Sequence, residues 1–411
     1  MPQRPQLFES LIKLAVLTQL PWQYSSPAGQ SKGLLLVASF AFSQDVASAE
    51  HHVSRTLPVG ALRHEISAER PQVRTTAITQ PPFTNPAASI HTWQLFATLP
   101  GTILHDISFQ TAKIGYAVGE PGEVWKTTDG GKNWIQVLSA GFDYYFYGVA
   151  TLTANDVVIS GFYDSSVTSF GVFRWTHDGG RTWTGDLSFG PETLQRVRFV
   201  KGKDGIIMKT GGGNSPTSSE FTTNGGATVS DWTSVVSNSD GGWFDPQFSL
   251  LADLHARASG INFCTSLTGG AQWTCKPSVD SIFDGPVFFL NDSLGWVGGG
   301  EISPNVEGWI HLTTNGGKTW TTRVLDGPWP IRSILFLNKQ TGWATGGNFW
   351  TDVGGMYFSA DGGKSWTVDA TTNAEMGSCA QHAVARAHQI WCAGFTGNLQ
   401  NYSSVIYCAQ F

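Results

Sequence analysis

The sequence predicts an all-β fold built from repeats, and three observations carry that prediction. An eight-residue phrase recurs six times: T-T-D-G-G-K-N-W (127–134), T-H-D-G-G-R-T-W (176–183), T-T-N-G-G from Thr222 closing after an insertion at Trp232, S-L-T-G-G-A-Q-W (266–273), T-T-N-G-G-K-T-W (313–320) and S-A-D-G-G-K-S-W (359–366). The closing tryptophans lie 49, 49, 41, 47 and 46 residues apart, a period that belongs to repeat architectures. Short β-rich runs separated by turn residues precede the phrases: I-L-H-D-I-S-F (103–109), I-G-Y-A-V-G (114–119) and V-W-K-T (124–127) before the first, with similar runs before the later ones. With the segment that starts at each tryptophan, every period holds four short antiparallel strands, the composition of one propeller blade.

Each phrase reads as the tip of a hairpin. The Gly-Gly pair tolerates positive φ, and Asp129, Asp178, Asn224, Asn315 and Asp361 can accept hydrogen bonds from the amides of their own turns. Ser or Thr at the first position offers a second local acceptor, and Trp134, Trp183, Trp320 and Trp366 begin the return strand and bury a large ring between sheets. Folding accounts for every part of the phrase, so these acidic residues are expected to be structural rather than catalytic.

The chain ends set the blade count. After the sixth phrase come Q-H-A-V-A-R-A, Q-I-W-C-A-G-F and S-V-I-Y-C-A-Q-F, three strands with no return strand. S-I-H-T-W-Q-L-F around Trp93 is a return strand with no hairpin before it. Pairing the two removes the edges of an open array and gives seven blades, one sewn from both ends of residues 91–411.

Residues 1–50 and 51–90 are different in kind. Residues 51–90 are rich in Pro, Arg, Ser and Thr and read as a disordered linker. A basic residue at Lys32, about ten apolar residues and the small-residue site Ala47-Ser48-Ala49 have the form of an export signal, too short to span a membrane. The expected location is therefore exported, with either a start downstream of Met1 or an organelle leader ahead of the export signal; a disordered tail with an apolar patch is the alternative. Charged residues make up only 14% and the net charge is -6 without a basic run, which argues against nucleic acid as the partner.

Cysteine usage points to an oxidising compartment. Cys264 and Cys275 flank the fourth phrase on opposite arms of one hairpin, where a disulfide could offset the turn's loss of its Asp to Thr268. Cys379, Cys392 and Cys408 share the last blade, and Cys379 to Cys392 is the expected pair. Asn291 and Asn401 open glycosylation triplets.

No nucleophile elbow, zinc-helix motif, phosphate loop or dinucleotide fingerprint is present, and no His or Cys spacing suits a metal, so neither metal nor cofactor is expected. Asp143, Asp164, Asp245, Asp284, Asp326 and Asp352 lie in or near connections, where Asp is ordinary turn chemistry, although a glycosidase would need two of them face to face. Aligning the innermost strands places His105, Tyr147, Arg196, Arg332 and Gln381 or His382 near the mouth of the central channel, as a cationic ring for a carboxylate or acidic peptide or as solvated strand ends. Trp243, Trp329 and Trp350 in the connecting loops would extend that recognition surface.

The phrase resembles the Asp box shared by sialidases, sortilin-like receptors, two-propeller xyloglucan hydrolases and the photosystem II stability and assembly factor family. The first blade is most similar to the last of these, in the order H-T-W-Q-L-F, T-I-L-H-D-I-S-F, I-G-Y-A-V-G and V-W-K-T-T-D-G-G-K-N-W. The resemblance covers about residues 90–411 and is specific in blades 1, 5 and 6; blades 3, 4 and 7 depart from it. The resemblance implies a non-enzymatic seven-bladed propeller in a thylakoid lumen that helps assembly by binding a protein segment through an arginine patch, for which Arg196, Arg198 and Arg332 are the counterparts here, so the expected export is either extracellular or lumenal. The alternative expectation is an exported sugar-binding or carbohydrate-active propeller. Sialidases fit less well, since their Arg-Ile-Pro signature and arginine triad are not evident, and the xyloglucan hydrolases need a second propeller for which these 411 residues leave no room. The expected partner is thus a protein segment or a glycan, and the expected state a monomer.

Overall fold

The computed structural model describes residues 91–410 apart from 189, 191, 201–203, 211–217, 227, 229–231, 237–246, 261, 278–283, 302–306, 328, 349–350, 380–388 and 399–400. Every described strand belongs to one of seven four-stranded antiparallel sheets, and no described residue is helical. In blade 1 the strands are Ile103–Phe109, Gly115–Glu120, Glu123–Thr127 and Ile135–Ser139, close to the expected runs. The first strands of successive sheets lie side by side, and that of the last sheet lies against that of the first. The molecule is a seven-bladed propeller.

The seventh sheet combines Glu375–Cys379, Gln389–Asn398 and Asn401–Gln410 with Thr92–Pro100, which pairs antiparallel to the last strand from Thr92 opposite Gln410 to Pro100 opposite Ser403. Its inner strand corrects the sequence reading. The inner strand is E-M-G-S-C at 375–379, a segment with little β propensity held in place by its neighbours, and the run expected at 381–387 lies outside the described residues. Residues 381 and 382, with the other candidates Trp243 and Trp350, lie outside the described residues.

One device shapes the inner strands and was not read from the sequence. Six of the seven carry a register shift at the same place, which leaves His105, Tyr147, Gln195 and Arg196, Gly285 and Pro286, Arg332 and Gly377 outside the ladder. A glycine on the second strand makes room for the bulge in four blades. A Cβ on Gly119, Gly161, Gly346 or Gly394 would lie 1.9, 2.0, 2.0 or 2.2 Å from the carbonyl oxygen of Ile103, Tyr145, Pro330 or Glu375.

The repeated phrase folds as expected and also joins the blades. In the first turn the Gly131 amide donates to Thr127 Oγ1 (2.8 Å), and the Asn133 amide to Asp129 Oδ1 (3.0 Å). The same bonds recur around Asp178, Asn315 and Asp361. In the eroded fourth turn the hydroxyl of Thr268 accepts from the Gln272 amide (2.8 Å), so Thr keeps the backbone bond that Asp makes elsewhere. Five of the turns also bond to the loop between the first two strands of their own blade, as Gly130 N does to the carbonyl of Lys113 (3.0 Å). The second glycine meets the preceding blade: added Cβ atoms on Gly131, Gly180, Gly317 and Gly363 would press on Trp391, Val137, Phe263 and Trp296. Lys126 in blade 1 donates to the carbonyl of Gly179 in the next turn (2.7 Å).

Apolar side chains fill the spaces between adjacent sheets. Phe109 of blade 1 stacks on Trp391 of blade 7 at 4.8 Å, and Trp296 of blade 5 on Phe336 of blade 6 at 3.5 Å. Trp134 is fully buried, while Trp183, Trp320 and Trp366 are half-buried at the blade edges. Trp329, expected in a recognition loop, is core: it is 3% exposed and packs with Tyr357 against the glycine-rich strand of blade 6. Its neighbours Gly327 and Gly355 leave space for the ring, which a loop reading of G-P-W-P does not foresee.

Cys264 pairs with Cys275 and Cys379 with Cys392, and Cys408 is a buried free thiol whose pKa burial pushes up to about 12. Two disulfides fit an oxidising, exported environment. No helix among the described residues is long and apolar enough to cross a membrane.

A buried carboxylate fastens the N-terminal strand. Asp369, on the outer strand of blade 6, accepts from the His91 amide (3.1 Å), Trp93 Nε1 (2.8 Å) and Trp343 Nε1 (3.3 Å), and its side chain is fully buried. Asp369→Ala removes a buried acceptor shared by three donors and is expected to cost about 2–4 kcal/mol. The check is denaturant unfolding combined with limited proteolysis, with new cleavage around residues 92–100. An unchanged midpoint and cleavage pattern would show that the strand is held by pairing alone.

Candidate functional site

A four-stranded meander has two unlike ends. At one, the entry face, the inner strands begin and the hairpins between second and third strands lie; at the other are the repeated turns. The sequence-predicted site residues divide between the entry face and the axis beneath it.

The axis is organised by Asp106, which sequence reasoning missed. It follows the bulged His105 on the inner strand of blade 1 and is fully buried. One oxygen accepts from the Val149 amide (3.0 Å) and Arg198 Nη1 (2.9 Å), the other from Arg196 Nη1 (2.6 Å) and the Ser378 hydroxyl (3.0 Å). Burial raises the pKa of this carboxyl, but Arg198, Arg196 and the Val149 amide together hold it below the usual carboxylate range. Arg196 and Arg198 reach the same carboxylate because residues two apart on a strand share a face. The alternation R-V-R in an inner strand was the available signal. Arg198 also lines two cavities toward the other end of the axis, of about 200 and 220 Å³, bounded by Val149–Leu152 in one and Ser249–Ala252 in the other.

Arg196 is therefore no free cation at the mouth: it is 5% exposed and bound to Asp106. The other expected cations also face acids. His105 Nε2 lies 2.8 Å from Glu120 Oε1, and Arg332 Nε donates to Glu375 Oε1 at 3.0 Å. The expected cationic ring is thus a set of ion pairs. His105 and Tyr147 do meet, with ring centroids 4.9 Å apart, and both bulged residues are half-buried. Glu375 is the one acid here with a raised pKa: burial outweighs the nearby charges of Arg332 and His105, and Asp352 adds to the rise. Asp352 itself accepts from the Gly397 amide (3.1 Å) at the hairpin of blade 7.

Asn291 spends its side-chain oxygen on the amides of Ser293 and Leu294 (both 2.9 Å) in an exposed turn. The side chain of Asn401 lies outside the described residues. The side chain of Asp284 does so too, and Asp245 lies outside them altogether. No metal was expected from spacing along the chain, yet Asp253, His255 and Asp292 bring three donor atoms within 4.8 Å of one another across blades 4 and 5. His255 Nδ1 lies 2.7 Å from Asp292 and Arg257 Nη2 2.9 Å from it, so the guanidinium supplies the positive charge this cluster calls for.

Fold and site together define a seven-bladed propeller with an ion-paired axis and a mixed-charge mouth. No family model and no curated protein matches the chain. Among solved structures it is similar to YCF48 bound to D1 peptide, with a TM-score of 0.57 and 15% identity over 81% of this chain and 100% of that one. It is also similar to YCF48 from Cyanidioschyzon merolae, with a TM-score of 0.53 and 18% identity over 77% and 98%. A third likeness is to the GH74 xyloglucanase from Xanthomonas campestris, with a TM-score of 0.52 and 14% identity over 74% of this chain and 53% of that one. At these identities the likeness establishes the fold.

The Asp106 cluster generates a stability prediction. Asp106→Ala strands two buried guanidiniums and is expected to destabilise by about 3–5 kcal/mol. Because the folded pKa lies below the unfolded one, the stabilisation is full above about pH 4 and is lost as pH falls through the folded value. Asp106→Asn should flatten that acid limb in urea midpoints measured from neutral to acid pH. An unaltered limb would remove Asp106 as its source.

Proposed function

We propose that this chain is a non-enzymatic binding propeller whose entry face holds a segment of another protein. The observation that carries the reading is the mouth itself, where bulges bring the half-exposed His105, Tyr147 and Arg332 together with the half-exposed Glu120 and the buried Glu375 as mutually paired groups. Paired charges and a phenol ring recognise shape and polarity; they leave no free base beside a free acid. The solved structure of a similar propeller with a peptide bound supports the reading.

The finer reading, a photosystem II assembly role in a thylakoid lumen, has the names of two similar structures in its favour. The arginine patch implied by the resemblance is weakened here, since Arg196 and Arg198 are buried on Asp106 and Arg332 is bound to Glu375. The proposal therefore stops at an exported protein-binding propeller, with residues 1–50 as its targeting segment and 51–90 as a linker. One observation favours the carbohydrate reading: Glu375, raised in pKa beside Arg332 and Asp352, is the described group closest to a general acid.

Screening the chain on a peptide array is expected to find binders, and His105→Ala with Tyr147→Ala should weaken them about tenfold while the melting temperature stays within about 2 °C. Binding that survives the double variant would misplace the site. A blank peptide array together with Glu375-dependent cleavage of a wall polysaccharide would replace this reading with the carbohydrate one. N-terminal sequencing of the secreted chain should find a start near Glu50.

A further inference from the structure

The two most exposed large apolar side chains among the described residues are Val167 (91%) and Phe142 (82%). They stand on adjoining entry-face loops of blade 2, the connection before Tyr144–Thr151 and the hairpin between Val157–Asp164 and Ser169–Thr176. The Asp164 amide donates to the Asp143 carbonyl (2.8 Å) and ties the loops together. Neither loop is slack. The Tyr144 amide donates to the Gly141 carbonyl (3.2 Å), and Ser165 Oγ accepts from the Val167 and Thr168 amides (3.3 and 3.1 Å). Beneath them run the half-buried rings of Tyr144, Tyr163 and Phe170, with successive centroids 4.8 and 4.9 Å apart. Apolar groups held out in solvent by ordered turns mark an interaction surface rather than fraying.

The charge around this patch is of one sign. Asp143 and Asp164 are exposed and have no ion-pair partner among the described residues. With Glu120 they lie close enough to Tyr145 to act on its hydroxyl, and Glu120 and Glu123 act likewise on Tyr402 of blade 7. The nearby cations are committed, His105 to Glu120 and Arg174, which lies over the Tyr144 ring at 4.8 Å, to Asp186. An arc from blade 7 through blade 1 to blade 2 therefore presents tyrosines and carboxylates beside two exposed apolar side chains.

We propose that this arc docks a basic protein segment, its Lys or Arg side chains meeting Asp143 and Asp164 among the tyrosines, and an apolar side chain covering Phe142 and Val167. Ammonium and guanidinium groups suit carboxylates that lack a partner and the faces of tyrosine rings, whereas an acidic peptide or an anionic lipid surface would be repelled. The inference rests on the reading of the entry face as a protein-binding surface and names the partner's chemistry, opposite in sign to what the arginines alone suggest.

Three fluorescent peptides test it on the full chain: a Lys/Arg-rich peptide with a central Leu, the same peptide with Glu in place of each cation, and the basic peptide with Ser in place of Leu. The first should bind and weaken about tenfold between about 50 and about 300 mM salt, the second should not bind, and the third should bind less tightly. Asp143→Asn with Asp164→Asn, and separately Phe142→Ser with Val167→Ser, should each weaken the first peptide about tenfold; both sites are exposed, so the melt should not move. Preference for the acidic peptide, or undiminished binding by both double variants, overturns the inference while leaving a protein-binding entry face. A dimer that Phe142→Ser with Val167→Ser dissolves would assign the patch to a second copy and overturn it too. Silence from all three peptides and from a wider peptide array removes the underlying reading along with it.

Discussion

One carboxylate ties four of the seven blades together. Asp106 belongs to blade 1 and accepts hydrogen bonds from Val149 in blade 2, Arg196 and Arg198 in blade 3 and Ser378 in blade 7. A propeller has little backbone bonding between its sheets, so the axis must be held by side chains. An anion with two oxygens can serve four donors at once, which no apolar group at this position could do. The arginines that a sequence reader would offer to a ligand are thereby committed to the scaffold. In the proposed function, recognition falls to groups farther out, on the entry face.

The two ends of the molecule differ in freedom for the same reason. At the end with the repeated turns, glycine amides bond to neighbouring loops and lysine or arginine side chains cap the turn carbonyls, as Lys126 does to Gly179 and Arg323 to Lys364. Little backbone there is left to vary. The entry-face hairpins lie at the open end of each sheet, where changes of length and side chain disturb the sheets least.

What was legible in the sequence was what is local. The turn around Asp129 is decided within eight residues, so its shape, its repetition and even the substitute bond of Thr268 follow from composition. The disulfides were legible because Cys264 and Cys275, and Cys379 and Cys392, face each other across single hairpins. The candidate site was legible in its parts: His105, Tyr147 and Arg332 do share one bulge position. Their partners were not, because Glu120 meets His105 and Glu375 meets Arg332 through register and through contacts between blades, as Asp106 meets Arg196 and Arg198. Trp329 was misplaced for a related reason, since the slot that receives it is cut by glycines in another segment. The strand 375–379 was overlooked because its neighbours, rather than its own residues, make it a strand.

In five of the six turns the second glycine lies against the blade before it, on Trp391, Val137, Ile206, Phe263 or Trp296, while Gly226 lies against Trp232 of its own blade. A hydrogen atom in place of a methyl thus sets the gap between sheets at those five joints. A blade copied within such a gene would arrive with one side of its joint already cut to fit. Rings of this kind can therefore change their number of blades by duplication or loss without inventing a new interface, provided that the residue facing the glycine stays apolar.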